Sequence, residues 1–130
     1  MSDVFTADLC HKIDAIYPNA SGRLDRIDEL PDPEGRAIVD LLLKQACESQ
    51  HIGNIMSARK SLRILPRVWL SRVLQDSIEE MIDLDDEWEY RRLVELLKEL
   101  NSELAESYIA FGLAAEGGAI FEAAIDMKSG

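Results

Sequence analysis

Backbone punctuation is what this 130-residue chain has least of: seven glycines and four prolines. Both residue types interrupt regular structure, glycine by its conformational freedom and proline by its locked φ and missing N–H donor. Their scarcity, beside abundant Ala, Leu, Glu, Ile and Arg, favours helix over sheet. Cysteine is equally thin. Cys10 and Cys47 are far apart in sequence, which excludes a disulfide framework and reads as two reduced thiols. No apolar run approaches the roughly 20 residues that span a bilayer. The first residues, "MSDVFTADLCHK", lack the basic-then-apolar order of a secretory signal. A cytoplasmic protein is the expectation.

Basic residues are outnumbered, 14 Lys and Arg against 25 Asp and Glu, for a formal charge of −11. Phosphate neutralisation needs clustered cations, so this balance argues against nucleic acid and anionic membranes and is compatible with a basic protein partner. Catalytic signatures are missing as well. There is no phosphate-cradling glycine loop, no G-x-S-x-G, no H-E-x-x-H and no C-x-x-C. No carboxylate pair is singled out for acid–base work. The expectation is a protein without chemistry and without a cofactor. A helical enzyme or small-ligand-binding bundle, with its site assembled from distant residues, is the alternative of another class.

Hydrophobic content of 47% with 30% charge suits a single globular domain over residues 1–130. Helical periodicity is nearly continuous along it. Phe5, Leu9, Ile13 and Ile16 form a first stripe, stopped by Pro18, and Leu24 and Ile27 begin a short second helix. Asp32 as cap and Pro33 as first helical residue open a third, which carries Ile38, Leu41, Leu42 and Ala46 to about Glu48. Gly53 breaks the run, with Asn54 as the next cap, and Ile55, Ala58, Leu62 and Leu65 follow. Pro66 ends that helix and opens another through Trp69, Val73, Leu74, Ile78 and Met81. Leu93, Leu96, Leu97 and Leu100 share a face; Ser102 caps a helix to Leu113, which Gly117 and Gly118 end before a short final helix. No strand with alternating polarity survives this reading.

A shift of 35 residues superposes Leu30-Pro31 on Leu65-Pro66 and on Leu100-Asn101. Ile27, Leu62 and Leu97 align ahead of that turn, as do Ala20, Ile55 and Tyr90. Behind it align Ile38, Val73 and Tyr108, then Val39, Leu74 and Ile109, then Leu43, Ile78 and Leu113. A period near 35 residues is expected of helix-pair repeats, which stack because one pair cannot bury its apolar face alone. The expected fold is all-α, a short right-handed stack of antiparallel helix pairs with about 7–8 helices, against the alternative of a compact helical bundle. Residues 1–18 would form a capping helix, 20–51, 52–84 and 85–117 the helix-pair units, and 118–130 a terminal helix and tail.

With "EGGAIFEAAIDM" reading as a turn, an Ile and paired alanines on a helix, the chain resembles the HEAT-like α-solenoid family over Ala20–Met127. It departs in its shorter period and in Glu122, where such helices commonly carry arginine. A tetratricopeptide pattern begun at Trp88 fits worse, since Arg92 and Glu95 fall where glycine and tyrosine are expected. The HEAT-like resemblance implies a curved surface for protein recognition and requires no catalysis.

The segment "MIDLDDEWEYRRLVELLKELN" holds the densest acids. As a calcium loop beginning at Asp83 it fails, because Trp88 stands at the glycine position and Val94 at the final glutamate position. As a helix start it succeeds: Asp85 caps, Asp86, Glu87 and Glu89 face the positive end of the helix dipole, and Arg91 and Arg92 lie within reach. Asp83, Asp85, Asp86, Glu87, Trp88 and Glu89 are the candidate partner-binding residues, with Trp88 as apolar anchor. The opposite pattern lies at Arg59, Lys60, Arg63, Arg67 and Arg72, +5 without an acid, leaving −16 for the remainder. Arg59, Lys60, Arg63 and Arg67 are the alternative anion-binding set; the plainer reading is charge pairing between stacked units, with Asp25, Lys60 and Glu95 at equivalent positions.

Cys10, His11, Cys47 and His51 match a zinc ligand set by type, but adjacent helical residues diverge by about 100°, so no metal site is expected. Among the aromatics, Trp69, Tyr90, Tyr108 and Phe111 read as core and Trp88 as the exposed one. The functional expectation is a small acidic helical-repeat protein that binds a protein partner. An immunity- or antitoxin-type inhibitor covering a basic toxin or nuclease site is the alternative within binding proteins.

Overall fold

The computed structural model describes residues 4–48 and 50–129, except for the side chain of Phe5; the first member of the expected first stripe therefore lies outside the described side chains. Among the described residues there is no strand. Seven α-helices follow in order: α1 (Val4–Ile16), α2 (Asp32–Glu48), α3 (Ile52–Ile64), α4 (Arg67–Met81), α5 (Glu87–Leu100), α6 (Ser102–Leu113) and α7 (Gly118–Ser129). Two 3-10 segments, Ala20–Gly22 and Leu24–Glu29, join α1 to α2. The expected second helix is thus a 3-10 turn pair kinked at Arg26 (φ −127, ψ 31). Its buried residues are Leu24 and Ile27, with Leu30 following at the same interval of three; that is the 3-10 period, and it aims all three inward. No helix among the described residues is long and apolar enough to cross a membrane.

The chain divides into two compact units, Met1–Met81 and Ile82–Gly130. In the first, α2 is the central element, packed by α3, α4 and α1. Its sequence explains why: Ile38, Val39, Leu42, Leu43, Ala46 and Cys47 are all at most 1% exposed, and at 100° per residue they cover roughly 180° of the helix surface. A helix apolar over so wide an arc needs neighbours on two sides. α4 buries a narrower stripe, Leu70, Leu74, Ser77 and Ile78. The contact is close where Gly35 meets Trp69, since a Cβ there would fall 3.0 Å from the indole ring. Farther along, Ser77 Oγ donates to Asp40 at 2.5 Å, so the buried hydroxyl is satisfied. Arg36 donates to Asp40 at 2.9 Å and also pairs with Glu80.

In the second unit α5, α6 and α7 pack against one another. Tyr90, Leu93, Val94, Leu96 and Leu97 of α5 are fully buried. The Tyr90 hydroxyl donates to the Tyr108 carbonyl at 2.8 Å, giving the buried phenol a partner, and burial holds its pKa above the ordinary tyrosine value. Gly112 lies against the same phenol. An added Cβ would sit 2.3 Å from the Tyr90 hydroxyl oxygen and 2.7 Å from Ala124 Cβ, so α6 approaches α5 and α7 only as a glycine.

Helix starts recur with the sequence shift. α2, α4 and α6 begin at 32, 67 and 102, and α3 and α5 at 52 and 87. The carbonyls of Pro31, Pro66 and Asn101 accept from Gly35, Leu70 and Ala105 at 3.0, 2.9 and 3.0 Å. Ala20, Ile55 and Tyr90 are buried, as are Ile27, Leu62 and Leu97, and Leu30, Leu65 and Leu100.

Four cap assignments are corrected. Asp32 is the first residue of α2 and not its cap. α3 begins at Ile52 with Gly53 and Asn54 inside it, because His51 is extended (φ −104, ψ 119) and its Nδ1 accepts from the Gly53 N–H at 3.2 Å. α5 is capped by Asp86 instead of Asp85, and α6 by Asn101 instead of Ser102. In the latter two the extended residue is the one whose side chain reaches the N–H three residues on, at Glu89 and Leu104.

Candidate partner-binding surface

The acidic segment is the turn that leads into α5. Ile82 is buried and Leu84 half-buried, and they pin the turn from inside while Asp83, Asp85 and Asp86 face out. Its backbone is tied to its own carboxylates. The Asp85 N–H donates to Asp83 Oδ1 at 3.0 Å, the Glu89 N–H to Asp86 Oδ1 at 3.0 Å, and the Asp83 N–H to Glu89 Oε1 at 3.2 Å. Glu89 reaches past the cap residue to the Asp83 N–H, while the Asp86 N–H donates to the Asp83 carbonyl, so the turn is tied to the helix start. Glu87 accepts from Arg91, which also donates to Asp126 on α7 at 2.9 Å. The guanidinium is held more firmly in its charged form, first by the Asp126 hydrogen bond and then by that of Glu87. The acids thus first serve the fold, and they leave a rigid, negatively charged ledge.

Trp88 stands on this ledge at 66% exposure, the largest apolar side chain so exposed in its unit. Single exposed apolar side chains are common on protein surfaces; what marks Trp88 is its place among carboxylates. Of the other aromatics, Tyr90 and Tyr108 are buried and Trp69 is half-buried. Phe111 is 50% exposed, which corrects its assignment to the core.

The basic window is divided. Arg59, Lys60 and Arg63 lie on α3, Arg59 half-buried and the other two exposed, while Arg67 opens α4. Arg72 lines a shallow hollow of about 310 Å³ beside Arg36, together with Asp32 and Asp76. Carboxylates there alternate with guanidinium groups, a mixed-sign arrangement unlike a phosphate cradle. Sequence reasoning missed what accompanies these cations: Ile52, Met56 and Ile64 on α3 and Val68 on α4 are 66%, 48%, 47% and 71% exposed. The available signal on α3 was Ile52, Met56 and Ile64 at multiples of four, masked by the stronger buried series Ile55, Ala58 and Leu62. Asp25, Lys60 and Glu95, the positions expected to alternate in sign, are all exposed.

Cys10 is half-buried on α1, Cys47 buried on α2, His11 exposed, and His51 engaged at the start of α3. Among the described residues no group of three or more His, Cys, Asp or Glu is placed to hold a metal ion. A hollow of about 510 Å³ is lined by α6 together with Lys98 of α5 and Met127 and Lys128 of α7. No family model, curated protein or solved structure matches the chain.

Proposed function

We propose that this chain is a non-catalytic protein-interaction module of the cytoplasm, a short HEAT-like stack of helix pairs that binds a basic protein through the acidic start of α5. The single observation that carries the reading is Trp88, 66% exposed in the middle of a carboxylate ledge. A solvent-facing tryptophan inside a polar rim is the composition of an interface hot spot, where truncation commonly costs about 2 kcal/mol or more of binding. The surrounding acids raise the association rate with a positively charged partner and make it salt-sensitive. The recurrence of helix starts at 32, 67 and 102 supports the stacked-pair reading. So does the ion pair between Arg91 and Asp126, which are themselves 35 residues apart and join α5 to α7.

Affinity capture from source lysate at low and high salt, with the natural chain and Trp88→Ala as baits, tests the proposal. The expected result is a basic protein retained at low salt, released at high salt, and lost from the variant, whose own melting point stays where it was. A partner that binds both baits equally would move the interface elsewhere.

A further inference from the structure

The outer face of α3 joins positive charge to uncovered apolar surface. No Asp or Glu stands between Glu48 and Asp76, in a chain where 25 of 130 residues are acids. Arg59, Lys60, Arg63, Arg67 and Arg72 all fall in that gap. Lys60, Arg63 and Arg67 are exposed, and Arg59 is half-buried. Of the eight large apolar side chains exposed among the described residues, four lie in the same gap: Ile52, Met56, Ile64 and Val68. One such side chain alone carries no message, but three on a single helix leave a face that the fold does not cover.

The order of these residues around the helix narrows the occupant. At about 100° per residue they share an arc of roughly 140°. Across it they run Arg59, Ile52, Arg63, Met56, Lys60, Ile64, so cation and apolar side chain alternate. A helix that lies in a membrane surface keeps its apolar stripe apart from its cations, which here stand between the apolar side chains. Nucleic acid would use the cations and leave Ile52, Met56 and Ile64 uncovered. An acidic amphipathic helix, with carboxylates and apolar side chains at intervals of three and four, answers both. Arg59, Arg63 and Arg67 also interact within the fold, and it is their charge, not a free donor, that the face offers. At physiological salt charges are screened over about 8 Å, less than half of the roughly 18 Å from Ile52 to Ile64. The local cations therefore outweigh the −11 of the whole chain for a partner seated here. We infer that this face of α3 docks an acidic amphipathic helix of another protein. It belongs to the first compact unit and is separate from the Trp88 ledge of the second.

Fluorescence anisotropy of a labelled peptide titrated with the full chain tests the inference. The probe is a helix of about 15 residues, the shortest that holds its shape alone, with leucines at every third or fourth position and glutamates beside them. Saturable micromolar binding is expected. Lys60→Glu should weaken it about tenfold and Met56→Ser about fivefold, since charge and apolar contact both contribute. Both positions are exposed, so the circular dichroism of the variants should be unchanged. Trp88→Ala should bind the probe as the natural chain does, which separates this surface from the ledge. No binding up to submillimolar peptide would overturn the inference. So would equal binding of a scrambled peptide of the same composition, or binding indifferent to Met56→Ser. Tighter, Lys60-dependent binding to phosphatidylserine vesicles or to a single-stranded oligonucleotide would give the face to lipid or nucleic acid instead.

Discussion

Gly35 on α2 and Gly112 on α6 each have a side chain of another helix where a Cβ would stand, yet the two obstacles differ in how far they can yield. The space above Gly35 is closed by the far edge of the Trp69 indole at 3.0 Å, the end of a side chain that is itself half-buried and able to shift. Above Gly112 the obstacle is the Tyr90 hydroxyl at 2.3 Å, and that hydroxyl is committed to the Tyr108 carbonyl. One contact has slack and the other is locked by a buried hydrogen bond. The lesson is that tight packing becomes rigid where a polar group is satisfied inside it.

The largest expected effect is where the two units should agree. Leu62 and Leu97 are both fully buried at positions 35 residues apart. Leu62→Ala and Leu97→Ala should each destabilise by about 2–5 kcal/mol, read as the shift in urea midpoint at constant slope. An unchanged midpoint for Leu97→Ala would remove the equivalence of the two positions. The next effect separates the units. Gly112→Ala should cost about 1–3 kcal/mol or more by overpacking, whereas Gly35→Ala should fall near zero, because helix propensity returns about 1 kcal/mol against a small displacement of Trp69. Equal costs would show that the indole is as fixed as the phenol.

A smaller effect tests the lock itself. Tyr90→Phe removes the donor to a buried carbonyl and should cost about 1–2 kcal/mol. Its signature is alkaline. The folded-state pKa of Tyr90 is raised by burial, so above the ordinary tyrosine value of 10.0 the unfolded chain releases a proton that the folded chain keeps. Stability should therefore fall as pH rises beyond that value, and the fall should be weaker in Tyr90→Phe. Parallel pH profiles for the two proteins would mean that the phenol titrates as if exposed.

Much of this fold was legible in the sequence. The all-helical class followed from the apolar spacing around Ile27, Leu62 and Leu97, and the turns from Pro31, Pro66 and Asn101. Caps slipped by a residue because Asp85 and Asp86, or Asn101 and Ser102, are chemically interchangeable until one of them turns extended. Gly112 could not be read, since what demands glycine there is a hydroxyl from α5, 22 residues earlier in the chain. The hollow along α6 was hidden for a related reason. Ile109 and Leu113 have the pattern of core residues, and only their neighbours decide whether they are covered. For the candidate site, the acid cluster and the exposure of Trp88 were readable from composition and position. The hydrogen bonds by which Glu89 and Asp86 stiffen the turn were not, because they depend on backbone geometry at Asp83.

Trp88 stands in solvent beside Asp83, Asp85 and Asp86, and the proposed binding of a cationic partner requires a negative field around it. Fluorescence quenching of a Trp69→Phe variant, in which Trp88 is the sole indole, measures both properties at once. Caesium ion, drawn to the carboxylates, should quench the emission more strongly than iodide at equal ionic strength, and added salt should narrow the difference. Emission that neither ion reaches, or that iodide quenches better, would contradict it.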